Sequence, residues 1–162
     1  MHHFFKYLYS LKIPFFKRLI PSLIKRIFFF NKTQIIQLNF TKIKLDLTQA
    51  IDREIYLKGH YEKKQLDFLD EIRKKNEIKH FFDIGANIGY YSLYFNNIDN
   101  VYAFEPNKKS LKRLEENNRL NNFNIKIYGF GLSNSTSERE IWYTNKDKMG
   151  GSAIFDQSDL EL

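Results

Sequence analysis

Phe81-Phe82-Asp83-Ile84-Gly85-Ala86-Asn87-Ile88-Gly89 is an apolar strand that runs into a turn bracketed by two glycines. A second strand, Val101-Tyr102-Ala103-Phe104, closes on Glu105-Pro106. The two features together suit a nucleoside. Glycine at 85 and 89 lets backbone approach a ligand closely and admits dihedrals that other residues avoid. A carboxylate about 20 residues downstream can accept hydrogen bonds from both ribose hydroxyls.

Outward from the turn the pattern alternates. It predicts strand 79–84, helix 90–95, strand 100–104, helix 108–120 and strand 124–129. The turn-rich Ser133-Asn134-Ser135-Thr136-Ser137 and an added strand over 138–143 follow. Strands alternating with helices imply βαβ units, a parallel sheet and an α/β fold. Ligands of such sheets bind beyond the carboxyl ends of the strands. Asp83, Gly85, Glu105 and Leu132 all arrive at such ends. Upstream, Leu66, Leu69 and Ile72 mark the inner stripe of a helix over 63–76. Residues 42–47 alternate as a half-buried strand does, 35–40 read as another strand, and Gly59 ends a short helix.

The spacing selects among nucleoside ligands. A dinucleotide fingerprint requires Gly-x-Gly-x-x-Gly, whereas Ala86-Asn87-Ile88 separates these two glycines. No Gly-Lys-Ser/Thr follows, which excludes a triphosphate loop. The helix start adds a positive dipole end and free amide donors facing the ligand. Asp83 at the strand end would repel a pyrophosphate and suits instead the cationic amino group of S-adenosylmethionine.

The chain has 162 residues, 43% of them apolar and 17% aromatic, enough for a real core. It has no cysteine, which excludes disulfides and thiolate metal sites and fits a reducing compartment. His2, His3, His60 and His80 show no paired ligand spacing, so no metal is expected. The net charge of +7 is unevenly placed: residues 1–45 carry nine Lys/Arg and no acid, and the rest is nearly balanced. The basicity therefore belongs to an N-terminal arm.

The arm's longest apolar run, Ile27-Phe28-Phe29-Phe30, is far short of the ~20 residues of a spanning helix, and no cleavage site follows it. Phe16, Leu19, Ile20, Leu23, Ile24 and Ile27 share one helical face, with Lys17, Arg18, Lys25 and Arg26 on the other. Pro14 can open this helix, and Pro21 is expected to kink or split it. The first reading is an arm packed on its own domain or a partner subunit. The second is peripheral contact with an anionic membrane. Basic residues interleaved with bulky aliphatics, without a binding motif, argue against nucleic acid.

Phe82-Asp83-Ile84-Gly85-Ala86-Asn87-Ile88-Gly89-Tyr90-Tyr91-Ser92 and Ala103-Phe104-Glu105-Pro106 carry a more specific signal. With Leu114, Asn117, Leu120, Asn121, Gly131-Leu132-Ser133 and Gly150-Gly151-Ser152, they resemble the FkbM-type family of S-adenosylmethionine-dependent methyltransferases. The resemblance covers about residues 60 to 155 and leaves the arm outside. It implies a Rossmann-like class I methyltransferase fold and S-adenosyl-L-methionine as cofactor. Asp83 would meet the methionine amino end, Gly85 and Gly89 would form the cofactor turn, and Asn87 would fix the loop or touch the methionine moiety. Glu105 would hold the ribose diol, and Gly131 and Leu132 would lie by the adenine. The implied acceptor is a small molecule or glycan bearing a hydroxyl, on a sugar, glycolipid or secondary metabolite. The family's later acidic motif is not found before Leu162, so the fold is expected to be incomplete at its C-terminus.

The organisation expected is a basic arm over 1–34, strands and a helix over 35–76, and the cofactor-binding half of a methyltransferase domain over 77–162. The expected location is cytoplasmic, with peripheral membrane contact open to the arm. No catalytic base is assigned. His60, Tyr61 and Glu62 are candidates, although local hydrogen bonding at a helix end explains them better. Two rivals stand beside the enzyme: a non-catalytic binding or membrane-tethering protein that keeps the fold, and an oxidoreductase of the NAD type, which the glycine spacing disfavours.

Overall fold

A computed structural model describes residues 2–11, 13–28, 32–39, 41–137, 141–143 and 152–154. The chain divides into two compact units, residues 1–78 and 79–162.

The first unit opens with helices α1 (His2–Ser10) and α2 (Pro14–Ile27). Pro14 starts α2 where a missing N–H costs nothing. The helix then continues through Pro21 without splitting, although Pro21 cannot donate to the Lys17 carbonyl. Ile20 and Ile24 are buried, while Leu19, Leu23 and Ile27 stay exposed, so the six apolar positions do not share one environment.

An antiparallel pair follows, β1 (Thr33–Leu38) and β2 (Thr41–Asp46), in register Ile36 to Ile43. Alternation puts Ile43 and Leu45 inside and leaves Lys42 exposed. Helix α3 (Ala50–Lys58) ends at Gly59, whose φ of 76° is the left-handed cap that glycine adopts without penalty. The α1 residue His2 packs against Tyr56 of α3, the tilted rings 4.4 Å apart, and its Nε2 lies 2.7 Å from the Tyr56 carbonyl. The arm thus packs on its own unit. Helix α4 (Lys63–Asn76) has the bounds its periodicity predicts, with Leu66 as its buried residue.

The second unit is α/β and Rossmann-like. Strands β3 (His80–Ile84), β4 (Asn100–Phe104) and β5 (Lys126–Tyr128) form a parallel sheet in the order β3-β4-β5. Helix α5 (Tyr90–Tyr94) joins β3 to β4, and α6 (Lys108–Asn121) joins β4 to β5. Val101 and Ala103 of β4 are buried. Phe81 of β3 packs on Phe95 at 4.7 Å. On the opposite face, Phe82 stacks on Tyr102 at 4.8 Å and Phe104 on Tyr128 at 5.0 Å.

β5 is shorter than expected because its ladder begins only at Lys126, opposite Tyr102. Of the added strand, residues 138–140 lie outside the described residues. Its end, β6 (Ile141–Tyr143), pairs antiparallel with β7 (Ser152–Ile154) and does not extend the parallel sheet. Gly150 and Gly151 also lie outside the described residues.

Candidate functional site

The loop between β3 and α5 is built from three left-handed residues: Gly85 at φ 80°, Asn87 at 51° and Gly89 at 83°. Asparagine is among the few side chains that tolerate this region. The two glycines serve different ends. A Cβ at Gly89 would stand 2.3 Å from Leu114 Cδ1 of α6, so Gly89 permits close helix–loop packing. A Cβ at Gly85 would meet nothing within 4 Å. Gly85 therefore borders open space.

The loop is stitched to the end of β4. The amides of Gly85 and Ala86 both donate to the Phe104 carbonyl, at 2.9 and 3.0 Å. Gly89 N–H donates to the Ala86 carbonyl at 2.7 Å. Glu105, only 7% exposed, accepts from the Asn87 amide at Oε2 and from the Asn107 amide at Oε1, each at 2.8 Å. An ionised carboxylate has about four acceptor positions, so each oxygen keeps capacity for a ligand hydroxyl.

Asp83 takes both of its hydrogen bonds at Oδ2, from the Ser92 amide at 2.9 Å and the Ser92 hydroxyl at 2.5 Å. Burial pushes its carboxyl above the ordinary carboxylate range; the Ser92 bonds oppose that shift and the Glu105 charge adds to it. Oδ1 has no hydrogen bond from a protein donor among the described residues. Asn87 Oδ1 is likewise buried without a donor. Among the described residues, the loop that holds the open Gly85 thus carries two oxygens without a protein donor. They suit a ligand carrying ammonium and hydroxyl groups.

The free amides expected at a helix start are largely spent. The amides of Gly85, Ala86, Asn87, Gly89 and Ser92 are all paired within the protein. α5 is also only five residues long, so little dipole develops. With two carboxylates at adjacent strand ends, the loop is unsuited to phosphate.

The structure brings Asp83, Gly85, Asn87, Gly89 and Glu105 into one cluster at the carboxyl edge of the sheet. Gly131 and Leu132 follow β5 at the same edge. Both are exposed, and no described hydrogen bond ties them to the loop. Tyr128 and Phe130, just before them, pack on Phe104 at 5.0 and 5.8 Å. His60, Tyr61 and Glu62 belong to the first unit. The His60 pKa is lowered by burial, then by Lys58 and Lys63, and its buried Nδ1 has no hydrogen-bond partner among the described residues. Among the described residues no cluster of three metal-ligating side chains occurs.

Three supporting residues had no role assigned from the sequence. Ser92 orients Asp83. Asn107 caps α6 by accepting from the Lys109 and Ser110 amides, and its own amide holds Glu105. Asn117, fully buried, donates from Nδ2 to the Ile88 carbonyl at 3.0 Å and fixes the loop from behind. The Asn107 cap was recoverable from an asparagine just ahead of a helical pattern.

No protein-family model and no curated protein matches the chain. Solved structures with partial likeness include two from Pyrococcus. One is a Pyrococcus abyssi tRNA (uracil-54, C5)-methyltransferase in complex with S-adenosyl-L-homocysteine, at 12% identity and TM-score 0.45 over 60% of this chain. The other is a Pyrococcus horikoshii protein provisionally described as a transferase, at 16% identity and TM-score 0.44 over 81% of this chain. The chain spans 23% and 64% of their respective lengths, under two thirds of each.

Proposed function

We propose that the loop 83–89, with Glu105, binds S-adenosylmethionine, and that the chain takes part in methyl transfer to a hydroxyl oxygen of a sugar, glycolipid or secondary metabolite. The observation that carries this reading is the open space at Gly85 beside two carboxylates with acceptor capacity to spare. The residues fit the ligand's chemistry. Asp83 would hold the ammonium of the methionine moiety, with Asn87 beside it, and Glu105 the ribose hydroxyls. Gly131 and Leu132 would flank the base.

When bound, the cofactor supplies a methyl group already activated on a sulfonium. The chain's own work is then positional. Ser92 keeps Asp83 in place, while Asn107 and Asn117 keep Glu105 and the loop in place, so binding costs little reorganisation. The test is transfer of labelled methyl from S-adenosylmethionine to a panel of hydroxylated acceptors. Binding without transfer to any acceptor would favour a non-catalytic binding protein. Absence of both would remove the proposal.

A further inference from the structure

The described structure leaves one amphipathic surface unexplained, on α2. Phe15, Leu19, Leu23 and Ile27 are 64%, 44%, 39% and 45% exposed. They recur every four residues and so form one continuous ridge. Ile20 and Ile24 on the neighbouring face are buried and hold the helix to its own unit. Arg18 and Lys25 line the flank opposite those two, Arg26 sits at the ridge's edge, and all three are exposed. No acidic residue occurs anywhere in residues 1–45.

We infer that α2 is a docking surface for an anionic lipid bilayer, lying in the interface with the ridge in the acyl boundary and the basic flank among the headgroups. Its 14 residues give about 21 Å of helix, enough to lie on a bilayer and too little to cross it. No helix among the described residues is long and apolar enough to cross a membrane. Charge decides between occupants. A second copy packed ridge to ridge would bring two wholly basic segments together. Nucleic acid would neutralise the charge and leave four apolar side chains in water. An anionic bilayer accepts both groups of residues.

The test is flotation of the full chain with phosphatidylcholine vesicles, with and without phosphatidylserine. Binding is expected only with the anionic lipid, and it weakens as salt is raised. The double variant Leu19→Ser/Leu23→Ser keeps every charge and should lose about tenfold in partitioning. A second measurement does not depend on that variant. The chain has no cysteine, so Leu23→Cys can carry a single polarity-sensitive fluorophore. Its emission should shift to the blue on anionic vesicles and stay unchanged on phosphatidylcholine alone. Failure to float with anionic lipid, an unshifted label at 23, or undiminished binding by a folded double variant would overturn the inference. So would ridge-dependent self-association without lipid.

Discussion

Glu105 Oε2 accepts the backbone amide of Asn87 at 2.8 Å, joining the end of one strand to the middle of the glycine loop. Its other oxygen holds the Asn107 amide. The side chain proposed to hold the ribose therefore also braces the loop that borders the open space at Gly85.

Glu105→Gln tests that double duty. The amide nitrogen of glutamine would face one of two backbone N–H donors, leaving that donor unsatisfied in a buried place. The expected cost is about 1–3 kcal/mol, read from denaturant unfolding without ligand. A variant as stable as the wild type would show that the brace carries no weight.

Gly85 and Gly89 share a backbone region but should fail differently. Gly89→Ala forces a methyl group into Leu114 and adds left-handed strain, for about 2–4 kcal/mol of lost stability. Gly85→Ala meets no atom, so strain alone costs about 1–2 kcal/mol. The ligand should reverse the order of damage: Gly85→Ala, still folded, should lose binding because its methyl group occupies the open space. Paired unfolding curves and titrations check both statements.

Asp83 gives a pH dependence whose sign is fixed. Its folded pKa lies above its ordinary value, so between the two values the folded state holds more protons than the unfolded state. Its contribution to stability is therefore greatest at acid pH and falls as pH rises through that window. Asp83→Asn keeps an acceptor for Ser92 and removes the buried charge. It should be at least as stable as the wild type at pH 7, with a flatter acid limb, while binding a cationic ligand more weakly. Thermal unfolding across pH, with wild type and variant side by side, measures this.

Much of the fold is legible in the sequence where local signals agree. Helix 63–76 and strand 100–104 coincide with their expected bounds because polar ends bracket a clean period. Gly59 and Asn107 mark helix ends through their chemistry. Other features depend on distant backbone. The start of β5 is set by where β4 offers a partner, and the Gly85 and Ala86 amides are spent on the Phe104 carbonyl, which has no signature in sequence. The role of Ser92 is equally hidden, since a serine nine residues beyond an aspartate reaches it only once α5 has turned back. In α2, periodicity places six apolar residues on one face, yet only packing decides that Ile20 and Ile24 are buried and Leu19 and Leu23 are not.

Asn117 supplies a control away from the ligand. Asn117→Ala removes the donor to the Ile88 carbonyl and leaves a cavity, for an expected loss of about 2–4 kcal/mol. Hydrogen exchange should show the loop amides opening faster. Unchanged protection would mean that the loop holds its shape without this bond.

The central claim is tested most directly by calorimetric titration with S-adenosylhomocysteine of the wild-type chain, Gly85→Ala and Asp83→Asn, each shown to be folded by circular dichroism. The proposed site predicts saturable one-to-one binding by the wild type, and at least about tenfold weaker binding by each variant. A folded wild-type chain that binds nothing, or variants that bind as the wild type does, would contradict it.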